Sequence, residues 1–236
     1  MNVFLGLAFL FFIGSVLGWV LELFFRRFFS SANPERKWIN PGFLVGPYLP
    51  LYGTGLCVLY LLASLQSFGV NRWVLLVLMT AGMTALEYLV GLWLLKVMKV
   101  RLWDYSKQPG NLQGLICPKF SLAWGLLSAA YLFLVHPHVL EALQWLRDNL
   151  AFSFVVGMFF GFILVDYAYS SHLMLKIKRF AQDNDVVVRY ESIKSYLSNL
   201  RAQRGKRRFF LSLHTEQPFI LPHFLKRRRP VWRKTH

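Results

Sequence analysis

Three carboxylates, Glu22, Glu87 and Asp166, stand inside long apolar stretches of this chain. A carboxylate is costly in hydrocarbon and normally faces a bundle interior, a partner cation or a water-filled cavity. The three are therefore candidates for a substrate or ion path, with Asp104, Tyr52 and Trp19 as polar and aromatic company. Glu22 has Arg26 four residues on, the favourable order for a helical ion pair, so a purely structural role competes for it. Glu87 sits deeper, with no Lys or Arg nearer than Lys96. Asp166 is followed by Ser170 and His172, which fit one polar path for a proton or cation; hydrogen bonding to Tyr or Ser on another helix is the simpler expectation.

Catalysis finds little support. His136, His138 and His172 are dispersed, there is no His-Glu-x-x-His zinc pattern and no nucleophile elbow, so no catalytic or metal residue and no cofactor is assigned. An enzyme acting on lipid headgroups stays open, because Glu22, Asp104 and the basic loop residues lie where headgroup chemistry would occur.

A second kind of chemistry comes from a motif that occurs twice. Asn40-Pro41-Gly42-Phe43-Leu44-Val45-Gly46-Pro47 is echoed by Gln108-Pro109-Gly110-Asn111-Leu112-Gln113-Gly114-Leu115, with Pro-Gly-x-Leu-x-Gly in common. Glycine allows left-handed turns and close backbone approach, and proline sets a rigid φ. Gly42, Gly46, Asn111 and Gly114 are thus candidates for backbone concavities that receive an anion, with Arg101, Lys107 and Lys119 adding charge. A tight connector that only packs the bundle is the plainer alternative. Neither loop continues into the Gly-Lys-Ser/Thr of a phosphate loop.

Both motifs are flanked alike. Each follows an apolar segment with a carboxylate, Glu22 or Glu87, and precedes one that starts near a proline, Pro50 or Pro118, and carries an aromatic-Gly pair, Tyr52-Gly53 or Trp124-Gly125. That pattern reads as an internal repeat of helix, Pro-Gly loop and helix.

The elements that must hold these residues are membrane helices. Of the 236 residues 56% are apolar and 17% aromatic, and several runs approach the roughly 20 apolar residues needed to cross a bilayer. Five spans are expected, Val3–Phe25, Leu49–Leu65, Trp73–Val97, a short Phe120–Val135 and Ala151–Leu173. Four spans plus a re-entrant element are the rival. The fold class is all-α, with two parallel helix-loop-helix repeats and a fifth helix. Expected units are 1–68, 69–137, 138–173 (an outer loop holding His138, then the fifth helix) and a basic cytoplasmic tail, 174–236. Gly14/Gly18 and Gly157/Gly161 offer two G-x-x-x-G faces for close helix contact. The N-terminal run is too long, and lacks the basic start, for a cleavable signal.

Charge sets the orientation. Arg26, Arg27, Arg36 and Lys37 follow the first segment, and Lys96, Lys99, Arg101, Lys107 and Lys119 follow the third, whereas the other connections hold Arg72 and Arg147. The positive-inside rule then places both Pro-Gly loops and the C-terminus in the cytoplasm and the N-terminus outside. The net charge of +16 is concentrated in the tail, where anionic lipid headgroups are the nearer partner and nucleic acid is not expected. Tyr190, Ile193, Leu197 and Leu200 suggest a short surface helix there, and beyond it basic clusters beginning at Arg204 and Lys226 flank an apolar stretch broken by Pro218 and Pro222. Cys57 and Cys117 read as small buried thiols.

Together, Gly18-Trp19-x-x-Glu22, Pro41-Gly42-Phe43-Leu44-x-Gly46-Pro47-x-x-Pro50-x-Tyr52-Gly53 and Glu87-Tyr88-x-x-Gly91 resemble the CmpB-like type IV ABC transporter permease family of bacteria. Trp103-Asp104-Tyr105-Ser106, Asn111-x-x-Gly114-x-Ile116-Cys117 and Ser121-x-x-Trp124-Gly125 continue the likeness over about residues 10 to 175. The resemblance implies a multi-spanning inner-membrane protein with a permease role and an ATPase partner subunit. A homo-oligomer is a further association to test. Two other readings compete: a protein that handles lipid headgroups, as enzyme or scrambling factor, and a structural partner of a membrane complex. The sequence names no substrate.

Overall fold

The computed structural model describes residues 2–30, 33, 36, 38–42, 44–183 and 188–189. The surface helix expected at 190–200 and the two basic clusters of the tail lie outside the described residues, as does Phe43.

The described chain is an all-α bundle with five helical segments long and apolar enough to cross a membrane. Helix α1 (Val3–Phe28) starts at Asn2, whose side chain accepts the Phe4 amide at 3.1 Å, and it ends with Arg26 and Arg27 at the negative end of its dipole. Helix α2 (Pro50–Ala63) begins on a proline, which loses nothing where an amide has no helical partner. Helix α3 (Arg72–Trp93) is capped by Asn71 and runs into a π-turn, Leu94–Met98. Then come β1 (Val100–Arg101), α4 (Pro118–Ala130), a second π-turn, α5 (His136–Asp148), α6 (Ser153–Asp183) and β2 (Val188–Arg189).

The short fourth segment and the loop expected after it need correction. From Pro118 to Asp148 the chain is one helical run of 31 residues, with His136 and His138 inside it. Pro137 marks a stop in the sequence because its ring clashes with the carbonyl four residues back and it offers no amide. The π-turn at Tyr131–Val135 absorbs that conflict: His136 donates to the Tyr131 carbonyl, five residues back, and the helix goes on. Val139, Leu143 and Leu146 then recur at helical spacing and are buried.

The core lies between α1, α2, α3 and the α4–α5 run, around Leu10, Leu59, Leu75, Met79, Leu132 and Leu146. α1 and α2 pack closely. A Cβ on Gly14 would meet Leu56, and one on Gly18 would meet the ring of Tyr52. The second G-x-x-x-G pair does not behave so: a Cβ on Gly157 or Gly161 would meet nothing within 4 Å among the described residues. Spacing alone cannot tell which face of α6 is turned to the bundle. Aromatic packing holds α6 instead, with Phe159 4.6 Å from Phe12 and Phe160 5.5 Å from Phe11 between ring centroids.

Since α1 and α3 both run into Pro-Gly loops and α2 and α4 run out of them, the two loops share one end of the bundle. The far end of α6 is there too, because Asp166 touches the first loop and β2 pairs in parallel with β1, Val100 beside Val188.

Candidate functional site

Each Pro-Gly loop is closed by an asparagine. In the first, Asn40 donates to the carbonyls of Leu44 and Val45 at 2.9 and 3.0 Å and accepts the Gly42 amide and the Trp19 indole N–H. In the second, Asn111 donates to the Gln108 carbonyl at 2.8 Å and accepts the Gly114 amide at 2.9 Å. The two asparagines occupy different positions of the motif. The glycines differ as well: Gly110 and Gly114 have φ of +68° and +70°, the left-handed region glycine favours. Gly42 and Gly46 serve close approach instead, against Leu49 and the Tyr48 ring.

The carboxylates are placed just inside the loop face. Glu22, on the last turns of α1, bonds Arg26 Nε at 2.9 Å through one oxygen and accepts the Tyr52 hydroxyl at 2.7 Å through the other. Glu87, on α3, is only 5% exposed. Its two oxygens accept the Tyr105 hydroxyl at 2.9 Å and the Trp124 indole N–H at 3.0 Å, and it has no ion pair among the described residues. So each carboxylate of a helix before a loop is held by the aromatic of the Tyr52-Gly53 or Trp124-Gly125 pair after it. The two aromatics touch, their centroids 6.1 Å apart and tilted by 55°, which joins the Glu22 and Glu87 halves at one seam. Tyr105, whose hydroxyl reaches Glu87, stacks on Phe120 at 4.3 Å. Burial pushes its ionisation well above that of ordinary phenol, and the nearby Glu87 carboxylate, also its acceptor, pushes it further.

The remaining predicted residues lie outside that seam. Asp166 accepts the amides of Val45 and Gly46 at 3.1 and 2.8 Å, the Tyr48 hydroxyl at 2.6 Å and the Ser170 hydroxyl at 2.9 Å. Hence the first loop does present amides to an anion, and that anion is the chain's own carboxylate. Tyr48 is held protonated chiefly by burial and then by this bond. His172 is exposed and does not join Asp166 and Ser170. Asp104 pairs with Arg101 at 3.1 Å and accepts the Ser106 amide at 3.0 Å. Lys107 and Lys119 are exposed on the loop face.

Several residues without a candidate role in the sequence belong to this arrangement: Asn40, Tyr48, Tyr105 and Trp124. The aromatic-Gly pairs signalled Trp124, and Tyr105 stood in the Trp-Asp-Tyr run, but nothing in spacing aimed Tyr48 at a helix more than a hundred residues on. Deeper in the bundle, the buried hydroxyls of Ser15, Thr84 and Ser128 have no hydrogen-bond partner among the described residues. Thr84 is one turn before Glu87 on α3 and Ser128 one turn after Trp124 on α4; in these antiparallel helices both positions lie one turn further from the loops. Near the opposite end, the Tyr131 hydroxyl is 3.1 Å from His136 Nδ1, and His136 lines a cavity of about 380 Å³ with Tyr60, Ser64, Gln66 and Ser67.

Among the described residues no group of three or more His, Cys, Asp or Glu could hold a metal ion. In comparisons with known proteins, a family model described as "Putative ABC-transporter type IV" matches residues 9–171. No curated protein and no solved structure matches the chain.

Proposed function

Because the chain belongs to that type IV ABC-transporter family and carries the helices of a multi-pass membrane protein, we propose that it is a permease component whose cargo passes the seam between Glu22–Tyr52 and Trp124–Glu87. The observation that carries this reading is the meeting of two carboxylate–aromatic pairs, one from each hairpin, through the Tyr52 and Trp124 rings. A buried carboxylate without a cation, one turn from unpartnered hydroxyls, is expensive for a purely structural bundle. Thr84 and Ser128 extend this polar character one turn deeper, and His136, beside Tyr131, lines a separate cavity near the other end of the bundle.

In this reading the two hairpins are parallel repeats about an axis along the membrane normal. The like placement of the two carboxylate–aromatic pairs supports that. The basic residues of both loops put the loop face in the cytoplasm and the N-terminus outside, in an inner membrane. Arg101, Lys107 and Lys119 would then meet anionic headgroups, and an ATPase subunit would approach from the same side. The polar seam disfavours a purely structural partner. A lipid-handling protein is the second reading, favoured by the exposed Lys107 and Lys119 beside the loops.

Native mass spectrometry of the gently solubilised protein, wild type against Glu87→Gln, separates these. An ATPase subunit that copurifies with wild type supports the permease reading. An anionic lipid held without any protein partner, and released by the substitution, moves the assignment to lipid handling.

A further inference from the structure

The two Pro-Gly loops differ in what ties them down. The second is tied within its own hairpin, by Asp104 with Arg101 and Ser106 and by Asn111 with Gly114. The first is closed by Asn40 within its hairpin and is tied by side-chain bonds from outside as well, to Asp166 of α6. Val45 N–H and Ser170 converge on one Asp166 oxygen, Gly46 N–H and Tyr48 on the other. Hydrogen bonds to an ionised acceptor are the strong ones, so this is a firm but small attachment. Otherwise α6 meets the bundle mainly through Phe159 and Phe160 against Phe12 and Phe11, and only 11% of the apolar stretch within Leu150–His172 is buried. Just past α6, β2 pairs with β1 at the entrance to the second loop.

The C-terminal unit therefore reaches both loops at separate points. Each point lies beside an aromatic donor to one carboxylate. Tyr48 is four residues before Tyr52, which holds Glu22, and Arg101 is four residues before Tyr105, which holds Glu87. The first link is also mechanical, since Leu49 N–H donates to the Ser15 carbonyl and Tyr52 N–H to the Leu49 carbonyl.

We propose that α6 and β2 form a clasp across the loop face, closed on the first loop by Asp166 and on the second by β2, and that its release frees the two carboxylate–aromatic pairs to separate. The clasp is independent of what the protein carries; its role as a gate rests on the permease reading.

Two substitutions in the full chain test it by hydrogen exchange. Asp166→Asn turns an amide NH2 toward the N–H of Val45 or Gly46 in either orientation, so exchange at 44–49 should rise about tenfold or more while 99–116 keeps its wild-type rates. Val188→Pro should raise exchange at 99–104 and leave 44–49 alone. If neither variant loosens its own loop, or if both loops and α1 to α4 loosen together, the clasp is refuted and the contacts are ordinary packing. The gate is read separately, from labelling of Ser128→Cys by a small charged thiol reagent applied at the loop face of membrane vesicles. Asp166→Asn should speed that labelling severalfold. Local loosening with unchanged labelling would leave the clasp in place and refute its role as a gate.

Discussion

Replacing Glu87 tests whether the seam is held by hydrogen-bond geometry or by charge. Its oxygens receive one donor each, the Tyr105 hydroxyl at 2.9 Å and the Trp124 indole at 3.0 Å. The indole can only donate, whereas the phenol can also accept. A glutamine at 87 can therefore point its oxygen at Trp124 and its NH2 at Tyr105 and keep both bonds. What it loses is the charged part of each bond, and what it gains is release from the cost of holding a buried charge. The two are of similar size, so Glu87→Gln should change bundle stability by about 1 kcal/mol or less. Glu87→Leu fills the space and orphans both donors. At about 1–3 kcal/mol for each unsatisfied buried group, it should cost about 2–6 kcal/mol, reduced somewhat by loss of the charge. Reversible unfolding in mixed micelles gives the two values, and the Trp124 indole N–H resonance in tryptophan-labelled protein reports the bond itself. Equal destabilisation by Gln and Leu, or loss of the Trp124 signal in the Gln variant, would refute the geometric account and show that charge holds the seam.

Other expectations are simpler. Gly18→Ala should destabilise the bundle by about 1–3 kcal/mol because its methyl meets the Tyr52 ring, while Gly157→Ala, with open space around it, should be neutral in the same unfolding assay. Tyr48 and Tyr105 both ionise above the ordinary phenol value of about 10. A folded-state pKa raised above the unfolded one contributes stability that is full below about pH 10 and is lost as pH rises toward the folded value. Stability should thus be insensitive to these groups at neutral pH and fall in strong alkali. Tyr105→Phe should remove a late-titrating phenol from the absorbance curve and flatten that fall.

Much of the frame was legible because apolar length is a one-dimensional signal. The five spanning segments follow from the length of the apolar runs, and the Glu22–Arg26 pair from spacing within one turn of helix. The pairing of Tyr52 and Trp124 with the carboxylates was half legible: the repeated aromatic-Gly pair marked the positions, but only the antiparallel packing of each hairpin shows which carboxylate each ring meets. The π-turn that carries the helix through Pro137 was hidden, since proline read alone argues for an end. The partner of Asp166 was hidden more deeply. A Tyr or Ser hydroxyl was expected there, and Tyr48 and Ser170 supply two, but the other two donors are the backbone amides of Val45 and Gly46, which no side chain advertises. The same limit applies to α6, where a G-x-x-x-G spacing marks a face but says nothing of which way it points.

Passage through the seam is tested most directly without knowing the cargo. Ser128 is fully buried one turn beyond Trp124, and cysteine is nearly isosteric with serine there. In a chain whose Cys57 and Cys117 are replaced by serine, Ser128→Cys should react with a small charged thiol reagent applied from either side of sealed vesicles, and Glu87→Leu should change the balance between the two sides. Reaction from one side only, or from neither, would contradict a path between the hairpins.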